Sequence, residues 1–365
     1  MSEKESPDYV QISTAAAMTL KIFPGRFNRG ERLNALNLLV VYDDSCKGNC
    51  GYCGLSQSRD PDENTFIRVD WPIVSLEDIL ARTKKYGKHL GRVCVSMITH
   101  PRAFDDMCTI MSAFRDQTDL LISGLIAPTL IRSKEKVMKI KEAGADMVGI
   151  AVDAATQELF RKFRGEGVNG PHKWDQYWKV VEWSAECFGR GKAGIHLIVG
   201  LGETEKEIIA IIQKGEDLGA KTHLFSFYPE GGSSMSNWKQ PSYGQYRRVQ
   251  LARYLINSGI QRAEDMKFND MGELVEYAGE DTPAGASHLP SGDLSSNVEK
   301  VIESGEAFMT SGCAGHDGVV ACNRPYGNER PSRPIRNFAF LPEKSDIDSV
   351  RKQLVDYSGD FERSL

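Results

Sequence analysis

Six short apolar runs constrain this chain more than any other feature. They are LNLLVVY (36–42), RVCVSMI (92–98), DLLISGLI (119–126), MVGIAV (147–152), GIHLIVGL (194–201) and THLFSFY (222–228). A strand covered on one face alternates apolar and polar residues, whereas one covered on both faces reads as a continuous run. Helical patterns separate the runs. One is predicted from Ser75 through 76–90, another is SKEKVMKIKEAG (133–144), and a third opens at a Thr204/Glu207 capping box ahead of Ile208, Ile211, Ile212 and Leu218. Alternation of this kind specifies the α/β class, as a parallel (β/α) barrel, partial or full. Active sites of such barrels lie where strands end and loops begin.

The barrel is expected over residues 34–260, preceded by an N-terminal helical extension (1–33, with the helix around Ile12–Ile22). Residues 261–365 read as an extension rich in Gly, Pro and Ser that covers the barrel, with a short helix near 345–355. Composition is that of a soluble enzyme, 41% hydrophobic and 26% charged, with room for a sizeable core. A net charge of −5 gives no basic field for nucleic acid. No apolar run approaches the ~20 residues that span a bilayer, and the polar start MSEKESPDY lacks a signal-peptide core. Eight cysteines without framework spacing point to a reducing, cytoplasmic setting.

Cys46, Cys50 and Cys53 form a C-x3-C-x2-C triplet in DDSCKGNCGYCGLSQ, directly after the first run. Three thiolates in so short a loop suit three corners of a cubane iron–sulfur cluster, leaving one iron open to a small molecule. Structural zinc normally takes four ligands in paired knuckles, and the nearest further candidates here are His89 and Cys94. A zinc-stabilised binding protein is therefore the reading from another class. The chain shows no Ser/His/Asp or paired-carboxylate constellation.

A triplet so placed resembles the radical S-adenosylmethionine (radical SAM) superfamily, and the resemblance covers residues 34–260. It implies a [4Fe–4S] cluster with an open iron that chelates S-adenosylmethionine, and a deoxyadenosyl radical that abstracts hydrogen from an unactivated C–H bond. Tyr52 stands at the aromatic position that lies near the adenine in that superfamily. HLIVGLGE (196–203) resembles its fifth-strand G-x-I-x-G-x-x-E pattern through Ile198, Gly200 and Glu203, with His196 in place of the first glycine. Asp153 stands where biotin synthase-like members bind the ribose, and Arg161 or Arg164 is expected at the methionine carboxylate. The usual Gly-Gly-Glu after the second strand is absent, with SMITHPR (96–102) in its place.

Cys94 on the second strand resembles a biotin synthase ligand to a second cluster, whose other cysteines have no counterpart here. The tail offers Cys313 and Cys322 instead, and folding over the barrel mouth would bring them to Cys94 as ligands of an auxiliary cluster. A structural metal held by the tail cysteines is the competing reading. Cys108 and Cys187, on predicted helices, read as core thiols. The tail TSGC…ACNRPYGNERPSRPIRNF is similar to that of two-component lipoyl synthases. That likeness implies a sulfurtransferase of lipoate biosynthesis acting on an octanoylated carrier protein or lipoyl domain, a sister radical SAM subunit, and a reductant such as ferredoxin or flavodoxin. Single-chain lipoyl synthases carry an N-terminal cysteine triplet, and this chain has no cysteine before Cys46. Biotin synthase-like sulfur insertion into a small aliphatic substrate, and radical methylation or rearrangement in cofactor assembly, are the alternatives.

Overall fold

The computed structural model describes residues 4–59, 65–277, 294–329 and 333–359. All six apolar runs form parallel strands: β1 (Ala35–Val40), β2 (Arg92–Ser96), β3 (Leu121–Ile126), β4 (Met147–Asp153), β5 (Ala193–Val199) and β6 (Ala220–Ser226). They pair in sequence order from β1 to β6. Each parallel step is crossed by helix-containing chain: α1 (Leu76–Tyr86), α2 (Ala103–Gln117), α3 (Lys134–Glu142), α4 (Trp174–Phe188), α5 (Glu205–Asp217), with α6 (Tyr243–Asn257) after β6. The result is a partial (β/α) barrel, whose six parallel strands do not close on themselves.

Alternation sorts the two faces of each strand. Space outside Gly124 is taken by Met111 of α2 and Ile140 of α3, so Ser123 and Leu125 face inward. Inward positions retain partial access on otherwise buried strands: Cys94 and Ser96, Leu125, Ala151 and Asp153, His196 and Ile198, Phe225. The barrel therefore encloses a lumen, with an apolar wall of Leu125, Ala151, Ile198 and Phe225. Ser75 caps α1 by accepting from Asp78 N at 3.2 Å, as the sequence suggests. The Thr204/Glu207 capping box forms at α5, contributing about 1 kcal/mol to a helix that starts immediately after Glu203.

The N-terminal region corrects one expectation. Its helix is shorter (Thr14–Thr19), and Tyr9–Ile12 is a strand antiparallel to β1, with Ile73–Ser75 antiparallel to it in turn. The sheet thus has eight strands. Val10 and Ile12 pair with β1 and are fully buried, so burial against the sheet overrides a helical reading of this segment.

The tail meets the opposite end of the barrel from the expected one. Its hairpin docks where strands begin: Arg92 Nε donates to Ala314 O (2.7 Å), His316 Nε2 to Asp119 O (2.9 Å), and Asn34 N to Asn323 Oδ1 (3.2 Å). These are the residues that open β2 and precede β3 and β1. From there the short helix Arg324–Gly327 runs along the open seam, where Tyr326 donates to Asn28 O (2.6 Å) and Asn328 to Ile67 O (3.0 Å). The C-terminal helix is Lys344–Leu354, matching the sequence reading. The Gly/Pro-rich stretch 278–293 lies outside the described residues.

Candidate active site

The Cys46–Cys53 loop leaves the C-terminal end of β1 and is pinned from several sides. Lys47 N donates to Thr99 O (2.7 Å), Gly51 N to Phe163 O (2.8 Å), and Met235 N to Gly51 O (3.1 Å). Asn49 donates to Val168 O (2.6 Å), and its Oδ1 accepts from Ser56 and Ser58. Two backbone amides already point at sulfur: Gly48 N to Cys46 Sγ at 3.3 Å and Leu55 N to Cys53 Sγ at 3.4 Å. Such N–H···S contacts stabilise thiolate on a cluster. Gly48 packs closely here: a Cβ would sit 3.3 Å from Cys46 Sγ and 3.1 Å from His172 Nε2, so both side chains would have to give way.

The three thiols act on one another electrostatically. Burial pushes Cys50 up to about 12 and raises Cys53 as well, with Cys46 adding to both and Cys50 adding to Cys53. A buried cage of mutually opposing thiols suits a multi-iron cluster, whose positive irons reverse that penalty. Among the described residues no three His, Cys, Asp or Glu side chains close on a single metal ion. A cluster that spreads its thiolates over several irons does not require it.

Asp153 ends β4 at a register break and in the left-handed region, φ 65°. That conformation turns its carboxylate toward the cysteine loop, where Tyr52 OH donates to Oδ2 at 2.7 Å. Arg164 Nη1 also meets Asp153 Oδ2 and donates to Ala151 O (2.6 Å), while Nη2 reaches Tyr177 OH (3.0 Å). Arg164 is buried, and its Nε has no partner. Of the two arginines expected here, only Arg164 reaches the site. Arg161, three residues earlier in the short helix Gln157–Phe163 that Arg164 caps, pairs with Glu166 at the surface.

Glu203 folds back on the turn after β5, accepting from Gly200 N (2.6 Å) and Leu201 N (2.9 Å). Gly200 has φ 104°, which a side chain rarely adopts. Burial nonetheless pushes the Glu203 carboxyl up to about 7. Ile198 stands two residues earlier on the lumen wall. His196 lies deeper, with its Nε2 in space left by the missing side chain of Gly149.

His172 carries no sequence signal and proves central to the loop. Thr129 and Tyr177 hydroxyls converge on its Nδ1 at 2.6 and 2.9 Å, and burial lowers it to about 2, so it is a neutral imidazole facing Gly48.

At the floor, a tight hairpin sets Cys313 beside Cys322: Ala321 N and Cys322 N both donate to Cys313 O, at 3.0 and 3.2 Å. Asn37, Cys94 and Ser123 stand side by side on β1, β2 and β3. Asn37 Nδ2 donates to Cys322 Sγ at 3.6 Å. Cys94 and Cys313 are pushed up to about 11 and about 12, by burial first and by neighbouring thiols next. The Ser123 hydroxyl lies against both. Cys108 and Cys187 remain on α2 and α4, apart from either group.

Residues 41–215 match the family model of the radical SAM superfamily. The barrel is a radical SAM domain. The family works with a [4Fe–4S] cluster and S-adenosylmethionine, and the amide-lined triplet fits such a cluster. No curated protein sequence matches the chain. Solved structures that resemble it include methylornithine synthase (PylB), at TM-score 0.49 and 14% identity, covering 67% of this chain and 65% of that one. HydG, a maturase of the [FeFe]-hydrogenase, gives TM-score 0.48 and 16% identity, covering 62% and 49%. The chain thus spans less than two thirds of either. Among the described residues no helix is long and apolar enough to cross a membrane.

Proposed function

We propose that this radical SAM enzyme is a sulfurtransferase of the lipoyl synthase type, inserting sulfur into an unactivated C–H bond of a protein-bound octanoyl chain. The observation that carries the reading is the meeting of Cys94, Cys313 and Cys322 at the floor of the same lumen whose mouth holds the triplet. Sulfur insertion needs a sulfide source, and an auxiliary cluster on these three thiols is one. When bound, the mouth cluster and S-adenosylmethionine supply the radical that removes hydrogen.

The chain's own residues divide the remaining tasks. Cys46, Cys50 and Cys53 hold the cluster while the Gly48 and Leu55 amides favour its thiolates. Arg164, Asp153 and Tyr52 form a polar wall for the methionine and ribose ends of S-adenosylmethionine. Glu203, Gly200 and Ile198 shape the adenine side. Leu125, Ala151, Ile198 and Phe225 offer an apolar wall for a saturated chain and keep water out. The octanoylated carrier or lipoyl domain, a sister radical SAM subunit and a ferredoxin or flavodoxin are the partners this reading requires.

The test is anaerobic turnover of an octanoyl-lysyl peptide by the reconstituted enzyme, read by mass. Replacement of hydrogen by a thiol in wild type, absent in Cys313→Ala, is the expected result. A methylated or rearranged product, or sulfur transfer undiminished in Cys313→Ala, would overturn the reading.

A further inference from the structure

Arg324 starts the seam helix and turns inward between Trp71 and Phe225, its guanidinium 5.9 and 5.6 Å from the two ring centres. Its Nη1 is buried and has no hydrogen-bond partner. The groups that act on it electrostatically are the thiols of Cys322 and Cys94, with no carboxylate among them. Three other buried guanidiniums have a carboxylate, whereas Arg247 and Arg253 are held by carbonyl and amide oxygens. Arg92 forks Asp146 at 2.6 and 2.8 Å, Arg164 pairs with Asp153, and Arg248 meets Glu205 at 2.8 Å. Taking a cation out of water without an anion costs several kcal/mol. Among the described residues Arg324 has neither a carboxylate nor an acceptor at Nη1, and it stands on the lumen side of Phe225 beside the floor thiols.

The surroundings agree. Asn37 Oδ1 is also buried without a partner, on a residue 4% exposed. Arg92, a cation that acts on Cys313, is already neutralised by Asp146. His196 and His223 complete the polar ring: His223 donates Nδ1–H to Ser311 O (3.0 Å), and its Nε2 is unpartnered. Arg324 is thus the cation of the described floor that acts on both Cys322 and Cys94.

Resting on the auxiliary-cluster reading, we propose that Arg324 is the fixed countercharge of the floor cluster, holding its thiolates in a buried site and raising its reduction potential. A cluster gains negative charge on reduction, and a nearby cation in low dielectric favours the more negative state. Arg324 is in this sense a positioning residue that acts through the cluster.

The experiment uses the full chain carrying Cys46→Ala, Cys50→Ala and Cys53→Ala, reconstituted anaerobically with ferrous iron and sulfide so that only the floor is loaded. Its midpoint potential is measured by redox titration of the visible band, with and without Arg324→Met or Arg324→Lys. The expected result is a lower potential in R324M and substantial restoration in R324K. Loss of iron from R324M with retention in R324K supports the same role. Equal potentials in R324M and the parent overturn it, as does an R324K potential no closer to the parent than that of R324M. A parent that binds no iron overturns the auxiliary-cluster reading itself and this inference with it; the two failures are told apart before any Arg324 variant is made.

Discussion

The mouth and floor of this barrel each gather three cysteines, by opposite means. The mouth takes all three from one loop after β1, and surrounding backbone pins that loop at Thr99, Phe163, Val168 and Met235. The floor takes one from β2 and two from a hairpin more than two hundred residues later, held by Arg92, Asn34, Asp119 and Ser311 contacts. The mouth cage has glycines and sulfur-directed amides but is flanked by a neutralised arginine, since Arg164 meets Asp153. The floor cage has an arginine set between two aromatic rings, with thiols as its charged neighbours. A cluster that must exchange a small molecule is built here on a loop, and one proposed to give up sulfide is built on strands and a long-range plug. The two can be changed separately, which makes the comparison testable.

The largest expected effect separates them outright. Cys50→Ala should reduce S-adenosylmethionine cleavage to background, measured as 5′-deoxyadenosine released under dithionite; cleavage near the wild-type rate would remove the mouth from the chemistry. Cys313→Ala should leave uncoupled cleavage within a few-fold of wild type while sulfur transfer falls to background. Joint loss of both activities would mean that the hairpin supports the fold instead of a second site.

A smaller effect sharpens the mouth alone. Arg164→Met removes the guanidinium proposed to meet the methionine end of S-adenosylmethionine, a charge-assisted contact worth roughly 2 kcal/mol, so affinity should weaken by about 30-fold. Arg161→Met, at the surface on the same helix, should leave affinity unchanged. Equilibrium binding of the two variants checks the pair, and equal losses would contradict the assignment.

The smallest effect on activity is expected at Glu203, where the signature is pH. Burial raises its carboxyl to about 7, so the wild-type contribution to stability is full at low pH and declines as pH rises through 7. Glu203→Gln does not titrate. Its stability relative to wild type should therefore rise across roughly pH 4.5 to 7, by at most about 1.4 kcal/mol per pH unit, and level off above. Parallel denaturation curves over that range would show that the Gly200 and Leu201 amides offset burial.

The same contrast explains what could be read from the chain. All six strands and the Thr204 capping box are local signals, and each is where the pattern indicates. The triplet is local too. Asp153, Arg164 and Glu203 follow from their distance to strand ends, although separating Arg164 from Arg161 needs the helix geometry that turns one inward. His172, Thr129 and Tyr177 meet only through folding, and no motif marks them. The floor thiols could be named but not located: a tail reaching the strand starts instead of their ends is decided by Arg92, Asn34 and Asp119, none of which is distinctive in sequence. Tyr9–Ile12 carries no strand signal of its own, since its strand character comes from pairing with β1.

The central claim is that one barrel carries two independent cysteine sites, and the direct measurement is iron and labile sulfide per chain after anaerobic reconstitution. Wild type is compared with the Cys46/Cys50/Cys53 and Cys94/Cys313/Cys322 triple-alanine variants, each checked for folding by circular dichroism. The account predicts that each folded variant keeps about half of the wild-type iron. A mouth variant that keeps none, beside a floor variant that keeps all, would contradict it and leave the floor thiols a structural feature of the plug.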